Sequence, residues 1–187
     1  MNWLERWQRW VAFLHPELHR DGAGYQQWQA LIALGSGGLE GRGLGNGLQK
    51  MYYLPEVPTD FVFPVIGEEL GMWVTLSIVL AFLVMLLCSG WITLQAPDPA
   101  GVLLGTGITT MIALQAMMNL AVVTSLMPCK GLPLPFISYG GTNLVFCLLG
   151  VGILVNIYRN GVTDKEVKSG AVVLNARVRK PLRMVRL

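Results

Sequence analysis

Four carboxylates fall within one short stretch of this chain: Glu56, Asp60, Glu68 and Glu69, in KMYYLPEVPTDFVFPVIGEELG (Lys50–Gly71). Apolar runs flank them, which places them at the outer boundary of a membrane. Ionisable groups there are costly to keep and mark function unless water reaches them. A carboxylate at a cavity mouth can take the proton of an attacking hydroxyl and act as general base for transfer from an activated donor. Lys50, Arg42 and Lys130 lie on the same side, where a cation can attract a diphosphate leaving group. Each residue also has a plainer reading. Asp60 is a favoured helix N-cap, able to accept from the N–H groups of Phe61–Phe63. Pro64 suits that first turn, where an N–H has no helical partner to lose. Glu68 and Glu69 fit as solvated residues just before a span, and the three cations as solvated loop residues.

Other patterns carry less chemistry. The run GSGGLEGRGLGNG (Gly35–Gly47) permits tight, irregular backbone. It is not a P-loop, because no GK[ST] follows, and its GxGxG spacing without a preceding strand is not a dinucleotide fingerprint. His15 and His19 stand four apart, but Pro16 spoils a regular helix between them and no third ligand is near. Cys88, Cys129 and Cys147 form no CxxC pair and read as small buried hydrophobes.

The elements that must position these residues are membrane helices. The chain is 53% hydrophobic and 13% charged, with a mean hydropathy of +0.51. An ordinary soluble domain carries roughly 25% charged residues. The net charge of +3 is too small to argue for nucleic acid. Apolar runs predict transmembrane helices over 71–92, 101–126 and 142–158, each long enough or nearly so for about 30 Å of hydrocarbon. Gln115 and Asn119 interrupt the second and are expected to face other helices. Residues 159–187 form a basic tail, which the positive-inside rule puts in the cytoplasm. The loop 127–141 and the segment 21–70 are then outside, the latter a long extracytoplasmic or re-entrant loop. Residues 1–20 predict an interfacial amphipathic helix, with Trp3, Trp7, Trp10, Val11 and Leu14 on one face. No cleavable signal peptide is legible. A preceding transmembrane helix would deliver that segment to the outer face, so the chain reads as part of a longer protein. The alternative is a self-standing protein with a translocated N-terminus. The expected fold class is an all-α integral membrane protein with three transmembrane helices after a long Gly-rich outer loop.

Several segments, in order, resemble the SEDS family of peptidoglycan glycosyltransferases: RWVAFLHPE (Arg9–Glu17), GYQQWQALIALGSGG (Gly24–Gly38), GRGLGNGLQKMYYLPE (Gly41–Glu56), PTDFVFPVIGEELG (Pro58–Gly71) and KGLPLPFISYGG (Lys130–Gly141). Pro58 and Glu40 depart from residues common in the family. The resemblance implies the last three spans of a ten-helix fold that polymerises glycan strands from lipid II at the outer face of the bacterial plasma (inner) membrane. It implies Asp60, in the TDF segment, as the catalytic base acting on the acceptor's GlcNAc 4-hydroxyl. It implies substrate contacts from Lys50, Glu56, Thr59, Glu68, Glu69, Lys130 and Ser138, with Mg²⁺ or Mn²⁺ as a possible aid to the diphosphate. The implied partners are a class B penicillin-binding transpeptidase and other divisome membrane proteins at the division site. IGEELG and GLGNGLQK favour the cell-division branch over the elongation branch. The competing readings are a lipid II transporter and a non-catalytic divisome scaffold or fragment. Carboxylates gathered at one face speak against transport, whose sites sit near the midplane.

Overall fold

The computed structural model describes residues 3, 11, 13, 24–47 and 59–178. Its helices are α1 (Tyr25–Ser36), α2 (Val62–Leu94), α3 (Pro99–Val123) and α4 (Gly141–Val178). The described residues contain no strand, and the architecture is the all-α one expected. Among the described residues three helices are long and apolar enough to cross a membrane: Val62–Leu94, Pro99–Val123 and Gly141–Lys165. Within the segment 1–20, Trp3, Val11 and Phe13 are helical.

α2 is not one straight rod. Gly71 sits inside it at φ 80°, ψ −178°, a combination essentially restricted to glycine. The chain doubles back there. A Cβ on Gly67 would lie 3.3 Å from Thr75 Cγ2, although eight residues of straight helix span about 12 Å. Phe63 shares a cavity with Val79, Phe82 and Leu83 from beyond the bend. The stretch before Gly71 is thus a half-helix folded against the membrane span that follows it. Gly67 permits the close approach because it has no side chain.

A bend of this kind strands backbone groups, and the glycine-rich loop collects them. The Met72 N–H donates to Gly38 O at 3.0 Å, Arg42 N–H to Glu68 O at 3.0 Å and Gly43 N–H to Glu69 O at 2.9 Å. Gly41, at φ 81°, lets the loop lie flat on the bend, where a Cβ would meet Glu69 O at 2.3 Å. The irregular backbone is tolerated because protein groups satisfy it.

The core joins Ala30 of α1, Phe61, Phe63 and Val65 at the half-helix, Ala116 and Val123 of α3, and Leu134 of the α3–α4 loop. Outward faces are apolar, with Leu87, Trp91, Leu103, Met117 and Phe146 well exposed. Cys88 is on such a face and is exposed, contrary to the expectation of a buried cysteine; Cys147 is buried and Cys129 intermediate. α3 begins with Pro99 after Asp98, a position where the missing proline N–H costs nothing. α4 continues to Val178, well beyond the span read as 142–158. Charge ends the solubility of a helix in lipid, but it does not end the helix.

Candidate active site

Two segments re-enter the bundle and meet. One is the half-helix, whose N-terminal end carries Thr59 and Asp60, about 13 Å from the bend by helical rise. The other is the α3–α4 loop. α3 supplies side-chain amides to both segments, from the half-buried Gln115 and the buried Asn119. Gln115 Nε2 donates to Pro133 O at 2.9 Å and to Asn143 Oδ1 at 2.8 Å. Asn119 Nδ2 donates to Leu132 O at 2.6 Å and to Asp60 O at 2.9 Å. Pro133 and Pro135 bring no N–H to this depth, and Ser138 Oγ accepts the Leu134 N–H at 2.7 Å. From the other side, Gln27 Nε2 donates to Met127 O at 2.6 Å, and Cys129 Sγ to Gln26 Oε1 at 3.4 Å. The loop is pinned by α3, by α1 and by its own turn.

Asp60 is half-buried. The helix cap position belongs to Phe61, at φ −114°, ψ 26°, which makes no side-chain cap bond. The capping role considered for Asp60 is therefore not the arrangement found. Its carboxylate instead lies against Gly131: a Cβ at 131 would be 2.6 Å from Asp60 Oδ2 and 3.6 Å from Cγ. Lys130, exposed, is the next residue. The structure thus brings together Asp60, Thr59 and the Lys130–Gly131 backbone.

The other candidates are elsewhere. Glu68 and Glu69 are 0% and 7% exposed, not solvated interface residues. They lie at the bend, about 12 Å of helix from Asp60. Of the carboxylates read as one cluster at the membrane boundary, the three that are described, Asp60, Glu68 and Glu69, are divided by the half-helix. Arg42, expected as a free loop cation, reaches Glu68 Oε1 through Nη1 at 3.4 Å, because a carboxylate in that position needs a cation. The buried Ser138 hydroxyl serves the loop's own turn. Lys50 and Glu56 lie outside the described residues. Among the described residues no three His, Cys, Asp or Glu side chains gather as metal ligands. The contributions of Gln115, Asn119 and Gly131 were not legible as site chemistry. The available signal was a pair of amides one turn apart on an otherwise apolar helix.

The family model described as "Cell cycle protein", for FtsW, RodA and SpoVE, matches residues 2–162. The chain is 46% identical over 157 residues to a probable peptidoglycan glycosyltransferase FtsW of Geobacter metallireducens, covering 84% of this chain and 42% of that protein. It is 46% identical over 154 residues to stage V sporulation protein E of Bacillus subtilis, covering 82% and 42%. A solved structure described under "Structural coordination of polymerization and crosslinking by a peptidoglycan synthase complex" superposes with a TM-score of 0.64 at 26% identity, covering 82% of this chain and 41% of that one. The chain spans about 42% of the length of the curated relatives it matches.

Proposed function

The chain belongs to the FtsW/RodA/SpoVE family of cell cycle proteins, and from that premise we propose that it forms the reacting end of a membrane-embedded peptidoglycan glycosyltransferase of the cell-division type. The acceptor sugar's 4-hydroxyl oxygen attacks the anomeric carbon of a lipid II-type donor. The bond from that carbon to the diphosphate oxygen breaks, and polyprenyl diphosphate leaves. Asp60 takes the hydroxyl proton. Lys130 offers the charge that attracts the diphosphate. Arg42, engaged with Glu68, has a structural part.

One observation carries the reading: the Asp60 carboxylate is seated against Gly131, beside the exposed Lys130, where two re-entrant segments converge. A base and a cation are then available at the edge of an apolar bundle, the place where a lipid-linked donor presents its headgroup. The same reading puts the protein in the bacterial inner membrane at the division site, with the basic tail cytoplasmic. It makes a class B penicillin-binding transpeptidase and other divisome membrane proteins its partners.

The test grafts this chain in place of the matching part of a full-length relative, purifies the graft in detergent and supplies lipid II. The unmutated graft makes polymer, and Asp60→Ala lowers the rate by about 10²–10⁴-fold. Undiminished polymer from Asp60→Ala refutes the base assignment. A folded, unmutated graft that makes none points to a scaffold or a transporter instead.

A further inference from the structure

Asn119 spends both of its amide hydrogens on backbone. One goes to the carbonyl of Asp60 and the other to the carbonyl of Leu132, at 2.9 and 2.6 Å. That fixes which way the amide points, since the reverse orientation would set Oδ1 against two carbonyl oxygens. The residue is 2% exposed, and its Oδ1 has no hydrogen-bond donor among the described residues. A buried acceptor without a donor calls for an explanation. Here the geometry supplies one: the amide is oriented to bridge two pieces of chain, not to satisfy itself.

Those two pieces are the ones that carry the site. Asp60 heads the half-helix; Leu132 directly follows Lys130 and Gly131. Gln115, Ser138 and Gln27 fasten the loop to α3, to itself and to α1, and none of those bonds reaches the backbone of residue 60. The Asp60 carboxylate and the Gly131 backbone lie so close that even a methyl group would not fit between them. That approach leaves little slack, and one side-chain nitrogen bonds the backbone on both sides of it.

We propose that Asn119 is a positioning residue for sugar transfer: its amide ties the backbone of Asp60 to the Lys130–Leu132 loop and so fixes the base relative to the cation. This rests on the reading of Asp60 as base. Asn119→Asp is the sharp substitution. It keeps the shape but sets an acceptor against two carbonyls. Misplacing a reacting group by about 1 Å can cost 10²-fold, so in the graft kcat falls roughly 100-fold while KM for lipid II stays within about twofold, because the group that binds is not the one displaced. In an Asp60→Ala background Asn119→Asp has no further effect on the residual rate, as expected for residues acting as a unit.

A second measurement does not depend on activity. With Cys129→Ser, the pair Asp60→Cys and Gly131→Cys is placed to oxidise to a disulfide, whose Cβ atoms must come within about 3.5–4.5 Å. The crosslink forms with Asn119 present and is lost with Asn119→Asp in folded protein. A kcat per folded molecule unchanged by Asn119→Asp overturns the proposal, as does a crosslink that persists in that variant. If Asp60→Ala itself polymerises, the base assignment has failed separately, and the crosslink alone decides whether Asn119 holds the two segments together.

Discussion

An alanine at position 131 would set its Cβ 2.6 Å from Asp60 Oδ2, well inside van der Waals contact, so the carboxylate or the loop must give way. Because a side chain yields more readily than backbone, Gly131→Ala is expected to move the Asp60 carboxylate while leaving the fold intact. Polymerisation by the graft should fall at least 10-fold, in line with the cost of misplacing a catalytic group, with little change in thermal midpoint. A midpoint drop that accounts for the whole loss would argue for a purely structural glycine. The residue-level contrast with Arg42 is instructive. Arg42→Ala removes a guanidinium that reaches the fully buried Glu68 and is expected to cost about 1–3 kcal/mol, discounted because the arginine itself is 39% exposed. Its signature is lower stability in a denaturation scan, with the activity per folded molecule preserved. Asp60 drew notice in the sequence as an ionisable residue between apolar runs, and its role as base came only from the family resemblance of the TDF segment. Glu68 and Glu69 stood out for the same reason and were misplaced. A linear string puts them just before a span, and nothing local says that the chain turns back beneath them. Asn119 was visible only as a polar residue, since the groups it bonds are 59 residues before it and 13 after.

The half-helix depends on a single backbone conformation. At Gly71 any side chain meets two penalties. The dihedral pair costs of order 1–3 kcal/mol for a non-glycine residue, and a Cβ would lie 2.5 Å from both Gly41 N and Leu39 O. Gly71→Ala should therefore lower the melting temperature of the purified protein by several degrees and abolish polymerisation, because straightening α2 carries Asp60 away from Asn119. Wild-type activity from that variant would mean that the bend is dispensable. The helices themselves were readable from hydrophobic run length. The bend was not, since glycine is common in membrane helices and Gly71 is one of 22 in the chain. What distinguishes it is the company it keeps: the loop from Gly37 to Gly43, whose N–H and C=O groups take over those released by the break. The extent of α4 was missed for a different reason. Hydropathy reports where lipid ends, whereas backbone hydrogen bonding runs on through Arg159 and Asp164 to Val178.

At the scale of the molecule, the three long apolar helices among the described residues have wide apolar outer faces that suit contact with lipid or with other membrane helices. The orientation argued from the basic tail is open to a direct check. In a cysteine-free background, Leu126→Cys on the α3–α4 loop should react with a membrane-impermeant maleimide from the outside of intact spheroplasts, and Asn160→Cys only after lysis. The reverse pattern would invert the topology. The meeting of the half-helix with the α3–α4 loop also has a consequence in time. Asp60 leaves the ribosome long before Asn119, whose amide bonds its carbonyl, and before Leu132, which shares that amide, and Gln27 waits 100 residues for Met127. At roughly 5–20 residues per second, the Asp60 carboxylate spends several seconds in the membrane with its surroundings unmade. The half-helix can fold back early, but its bridge to the α3–α4 loop forms only once α3 has inserted and that loop has been drawn in beside it. A nascent chain halted between those two events would be anchored, largely helical and unable to hold its carboxylate in place.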